Sequence, residues 1–111
     1  MQPFEIGGTI RPGTNGEWYL LSDSEHVPVH LSGQVVMGSD YIRVYFSERL
    51  THINWTAITT DETLAILGYT CGGSVNMDHV NIYIGKNGQA VNPRTITGST
   101  ANIWIYVRGE L

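Results

Sequence analysis

Asp61 and Glu62 are adjacent carboxylates, the residue type that cleaves a glycosidic bond when two of them face each other across it. Neighbours in sequence do not take up that geometry. At the first turn of a short helix they act instead as favourable charges beside the positive end of its dipole. Ser74 sits in Gly72-Gly73-Ser74-Val75-Asn76, which lacks the second glycine of a nucleophile elbow and follows no strand-helix alternation. Cys71, with Asp78 and His79 nearby, reads as a small apolar filler rather than a thiol nucleophile. A lone cysteine also excludes an internal disulfide and a structural zinc cluster. His26 and His30 flank Val27-Pro28-Val29 and, in an extended segment, stand about 13 Å apart, too far to share one metal ion. His52 and His79 are isolated in the same sense. Asn54-Trp55-Thr56 is a formal glycosylation acceptor inside an apparent strand. These patterns predict no catalytic residue, no metal site and no cofactor.

A different chemistry is written in the alternation of three segments. Ile42, Val44 and Phe46 alternate with Tyr41, Arg43 and Tyr45; Val80 and Ile82 with His79, Asn81 and Tyr83; Ala101, Ile103, Ile105 and Val107 with Asn102, Trp104, Tyr106 and Arg108. Successive side chains of a strand point to opposite faces, so one face is apolar core and the other carries rings mixed with Arg, Asn and His. That mixture suits the buried centre of a protein interface, and it suits sugars, which stack on rings while hydrogen-bonding at their edges. Three readings stay open for it: packing beneath loops, subunit interface and glycan contact. The residues expected to contact a ligand are Trp104, Tyr106, Arg108, Tyr83 and Tyr45. For Trp18, Tyr19 and Trp55 the pattern does not separate core from rim.

The elements that must carry these residues are strands. Period-two alternation predicts Phe4 to Ile10, Glu17 to Leu21, Gln34 to Met37, Tyr41 to Phe46, Arg49 to Trp55, Tyr69 to Val75, Val80 to Ile84 and Ala101 to Val107. Turn chemistry falls at residues 11–16 and at Lys86-Asn87-Gly88, with Asn87-Gly88 as a hairpin centre. One helix is expected over Asp61 to Leu67, capped by Thr59 with Glu62 as its capping-box partner, and ended by a left-handed Gly68. The fold class is therefore all-β, an antiparallel β-sandwich with one short helix. A chain of 111 residues fits a single domain, 1–111. The net charge of -4, with Lys and Arg scattered, excludes a basic stripe and so disfavours nucleic acid and anionic membrane surfaces. No stretch is apolar enough to insert in a membrane, and the start carries no export signal. The charged fraction of 14%, with abundant Gly, Thr, Ser and Asn, fits an extracellular or virion surface.

The run Thr59 to Val75, with Asp61-Glu62-Thr63, Ala65, Gly68-Tyr69, Gly72 and Ser74-Val75, is followed by the alternating His79 to Ile84 and by Asn102-Ile103-Trp104 with Tyr106. Over roughly the last two thirds of the chain this pattern resembles the terminal domain of a bacteriophage tail fibre or tailspike. Trp18 to Asp23 and His26 extend it weakly upstream. The resemblance implies a homotrimer at the C-terminal end of a longer fibre or spike protein on the virion. It also implies that this domain meets a host cell-surface polysaccharide or lipopolysaccharide as a receptor-binding element. Two other functions fit the residues: a trimerising cap that binds nothing, and a monomeric carbohydrate-binding module of a secreted bacterial enzyme.

Overall fold

Alternating apolar residues become strands here because each can bury one face against the other sheet. The computed structural model describes residues 2–98 and 100–111; Met1 and Ser99, which the expected span 1–111 includes, lie outside the described residues. The strands are β1 (Pro3–Pro12), β2 (Trp18–Leu20), β3 (Leu31–Met37), β4 (Ile42–Phe46), β5 (His52–Thr60), β6 (Tyr69–Val75), β7 (His79–Lys86), β8 (Gln89–Ala90) and β9 (Ile103–Glu110). One sheet, called A, has the order β2-β1-β9-β5. The other, B, has the order β3-β4-β7-β6, with β8 paired to β7. Every pairing is antiparallel. The fold is an all-β sandwich with one short helix, α1 (Glu62–Ile66).

The core lies between the sheets. Ile6, Ile10, Ile103 and Val107 of sheet A meet Ile42, Val44, Val80 and Ile82 of sheet B in one cluster of fully buried side chains. Each such side chain contributes about 1.5–3 kcal/mol by leaving water, which offsets the entropy of ordering the strands. Leu50 precedes β5 and is also fully buried, while Leu64 fastens α1 to the same cluster.

Most expected strands are present, and Tyr69–Val75 has the expected bounds. The expected Arg49 to Trp55 moves to His52–Thr60, because pairing with the central strand β9 continues as far as Thr60↔Ile103. That extension also corrects the helix cap. Thr59 is engaged in β5 opposite Trp104, so it cannot cap α1, and no capping box with Glu62 forms. Asp61 caps instead, its carboxylate accepting from the Leu64 amide. Gly68 has φ +86 and closes the helix in the left-handed conformation, as expected. Asn87 (φ 53) and Gly88 (φ 76) form the tight reversal between β7 and β8, the geometry of a type I′ hairpin. The two-residue β8 and the 3₁₀ turn Pro93–Thr95 are additional elements whose pairing and capping are too short to show a period.

Gly109 shows how tightly β9 is enclosed. A methyl group there would lie 2.4 Å from the His52 carbonyl oxygen and 2.8 Å from Leu50 Cδ1. Gly109→Ala is expected to lower the free energy of unfolding by about 1–3 kcal/mol through overpacking. An unchanged urea midpoint would show that the β5 bulge yields without cost.

Candidate functional site

Trp104, Tyr106 and Arg108 occupy the outer face of sheet A, because Ile103, Ile105 and Val107 between them point into the core. Their cross-strand neighbours are Thr9, Gly7 and Glu5 on β1, and Thr59, Ala57 and Trp55 on β5. The threonines beside Trp104 leave its ring 47% exposed, while Tyr106, between Gly7 and Ala57, is half-buried.

Trp55 joins them through a defect in the ladder. Ile53 pairs with Gly109 on the inner face, yet Trp55 pairs with Arg108 on the outer face, since the register shifts between them. A bulge of this kind reverses the alternation and re-aims a side chain. Trp55 is consequently 57% exposed, and its ring meets Tyr106 edge-on at 5.2 Å between centroids with 65° between planes. Trp55, Tyr106 and Arg108 line an open hollow of about 390 Å³. Tyr106 also borders a second hollow of about 230 Å³ with Glu5, Gly7, Val27 and Val29. Two hydrogen bonds set that wall, Gly7 N to Val29 O at 3.0 Å and Val29 N to Gly7 O at 2.8 Å. Lost hydration, and then the Glu5 carboxylate, raise the Tyr106 hydroxyl above its ordinary pKa; the nearby Arg108 cation opposes them. The phenol therefore stays protonated and able to donate at neutral pH. The arrangement offers two ring surfaces, a guanidinium, a carboxylate and a hydroxyl on one side of a rigid sheet.

Tyr45 and Tyr83 stand elsewhere. They belong to the outer face of sheet B, so the five expected residues divide between opposite sides of the sandwich. Arg43 is the centre of this second face. Its Nε donates to Asn81 Oδ1 at 2.8 Å, and its guanidinium carbon lies 5.3 Å from the centroid of the Tyr41 ring. The Tyr45 hydroxyl is the main cause that raises the Arg43 pKa still further, and Tyr41 and Tyr83 add to it. Tyr45 meets His79 at 5.6 Å between rings. His79 is bracketed in turn, with Nδ1 at 2.7 Å from Asp78 Oδ1 and Nε2 at 3.1 Å from Asn76 Nδ2. The Asn76 amide nitrogen can only donate, and the Asp78 carboxylate can only accept, which matches the tautomer with its hydrogen on Nδ1. The bond to His79 holds the Asp78 carboxyl below its usual range.

The residues that suggested catalysis are spent on structure or kept apart. Asp61 accepts from the Leu64 and Asn102 amides at 3.1 and 2.7 Å. Cys71 donates its thiol to Ile58 O at 3.5 Å, and burial pushes its pKa up, away from the reactive thiolate. His26 pairs with Asp23 at 3.0 Å, while the His30 ring lies 4.0 Å from that of Phe4. Among the described residues, no group of three or more His, Cys, Asp or Glu could hold a metal ion, and no helix is long and apolar enough to cross a membrane.

Trp55 is the residue that sequence reasoning left unassigned and the structure adds to the site. Only the register against β9 reveals its direction. Compared with known proteins, the chain matches no family model, no curated protein and no solved structure.

Proposed function

We propose that this domain is a non-catalytic receptor-binding element at the end of a phage tail fibre or tailspike, which holds host surface polysaccharide on the outer face of sheet A. The observation that supports it best is the exposed Trp55 ring set edge-on to the half-buried Tyr106 ring beside Arg108 on the sheet. Rings present an apolar surface to the C–H faces of a sugar, while Arg108, Glu5 and the Tyr106 hydroxyl serve its hydroxyl groups. The fibre setting and the homotrimer rest on the sequence resemblance. Weak sugar contacts repeated in three copies gain affinity through avidity, by about a hundredfold or more where geometry allows.

Trp55→Ala and Tyr106→Ala are each expected to weaken adsorption to host cells, or to purified polysaccharide, by about tenfold, the effect of losing one well-placed ring. Folding should be retained, since both side chains lie outside the core. Unchanged adsorption in both variants would remove the site.

A second reading has its own support. Trp104, Val27 and Val29 leave exposed apolar surface on or beside the same face, as a subunit interface requires. In that case the domain is a trimerising cap. Trp104→Ala would then weaken the trimer in light scattering and leave adsorption per trimer unchanged. A glycan platform would show the reverse. A wild-type protein that stays monomeric at micromolar concentration would exclude both fibre readings and favour a free carbohydrate-binding module.

A further inference from the structure

The outer face of sheet B holds a positioned cation that has no ion-pair partner among the described residues. Arg43 has five N–H donors in a fixed fork. Asn81, only 9% exposed, fixes Nε at 2.8 Å, and the Tyr41 ring lies against the guanidinium. Among the described residues the ion pairs are His26–Asp23, Arg49–Asp78, His79–Asp78 and Arg94–Glu17, so none involves Arg43. The groups that act on its charge are instead the hydroxyls of Tyr45, Tyr41 and Tyr83. An arginine held rigid among phenols, with no carboxylate of its own, is complementary to a carboxylate brought by a ligand.

The surroundings specify more. Tyr83 is 41% exposed and lies 6.3 Å from Tyr41 between ring centroids. Its neighbour across the ladder is Gly72, where an added Cβ would meet nothing within 4 Å. The flank of the Tyr83 ring therefore opens into a hollow of about 390 Å³, lined also by Thr70, Gly85 and Gln89. The walls combine a ring face and neutral hydrogen-bonding groups with apolar Cys71, Ile84 and Ala90, a mixture that suits the C–H faces and hydroxyl edges of a sugar ring; Arg43 stands outside the hollow, beside the Tyr41 ring that neighbours Tyr83. We propose that this face is a second saccharide site, specific for a carboxylated sugar, whose ring lies against Tyr83 over Gly72 and whose carboxylate is held by Arg43. It is on the opposite side of the sandwich from Trp55 and Tyr106 and does not depend on the sheet A site.

The test is a calorimetric titration of the protein with three probes: tetragalacturonate, a sialic acid oligomer, and the galacturonate with its carboxyls reduced to alcohols. The two acidic probes distinguish a uronate from a nonulosonate source. Saturable binding of at least one acidic probe is expected, weakened by added salt as a surface ion contact is. Arg43→Met should reduce it by about tenfold or more, the worth of a charge-assisted bond. Arg43→Lys should recover it only in part, because an ammonium lacks the planar fork. Tyr83→Ala and Gly72→Val should weaken the same binding, and they keep the test decisive should Arg43→Met fail to fold by circular dichroism. Trp55→Ala should leave it unchanged, so failure of the sheet A reading and failure of this one are separable. The proposal is overturned if neither acidic probe binds, if the reduced probe binds equally well, or if the Arg43 and Tyr83 variants bind as the wild type does.

Discussion

Trp18→Ala is expected to lower the free energy of unfolding by about 3–5 kcal/mol, the range for removing a buried aromatic side chain. A domain of this size has about 5–15 kcal/mol in total, so the variant should be partly unfolded at physiological temperature. Trp18 is 3% exposed and sits opposite Pro12 at the end of the β1–β2 ladder. Its indole N–H donates to the Pro93 carbonyl at 2.9 Å, across 75 positions of sequence. One side chain thus fills the end of the core and also ties β2 to the 3₁₀ turn. Trp18→Phe separates the two contributions. It keeps most of the volume and leaves the buried Pro93 carbonyl without its donor, for a loss of about 1–3 kcal/mol. The Glu17–Arg94 pair beside it is half exposed at both ends. Glu17→Gln should therefore cost less than about 1 kcal/mol. Equal urea midpoints for Trp18→Ala and Glu17→Gln would contradict this account of the core's edge.

Asp61→Ala should be the next most damaging change, at about 2–4 kcal/mol from the loss of a helix cap together with a second backbone partner. The carboxylate accepts from Leu64 N with one oxygen and from Asn102 N with the other. It therefore joins the start of α1 to the residue before β9, and both amides lose their acceptor at once. The backbone bond Asp61 N to Asn102 O, at 3.0 Å, remains to hold the strands. Loss should accordingly be local: faster hydrogen exchange at Leu64 and Asn102, with the β1–β9 ladder still protected. Asp61→Asn keeps an acceptor for one amide only and should fall between. Glu62→Ala removes only an exposed charge near the helix start and should cost a few tenths of a kcal/mol. If Glu62→Ala destabilised the protein as much as Asp61→Ala, the double role given to Asp61 would be wrong.

The contrast between Trp18 and Trp55 shows how far the chain could be read before folding. Both lie in strands among alternating neighbours, and nothing local separates them. Trp18 faces inward because β2 pairs with β1 in the register Pro12↔Trp18. Trp55 faces outward because a bulge shifts β5 against β9. The same limit applies to the rings. Alternation places Tyr45 and Tyr83 opposite the aliphatic residues of their strands, and Trp104, Tyr106 and Arg108 likewise, but it carries no information about which sheet each strand joins.

By itself, then, the amino-acid order determined whatever depends on a few consecutive residues: the pleat of β4, β7 and β9, the Asn87-Gly88 reversal, the short helix ending at Gly68, and which face of each strand is apolar. These follow from backbone sterics and side-chain polarity acting over two to five positions. Tertiary structure alone decided the strand order, the β5 bulge, the capture of Asp61 by Asn102, and the separation of the ring-bearing residues into a Trp55–Tyr106–Arg108 surface and an Arg43-centred surface back to back. Each of these is a pairing between residues distant in sequence. Such pairings are selected by the total apolar area the two sheets can bury together, a quantity that belongs to the whole chain and to no short segment of it.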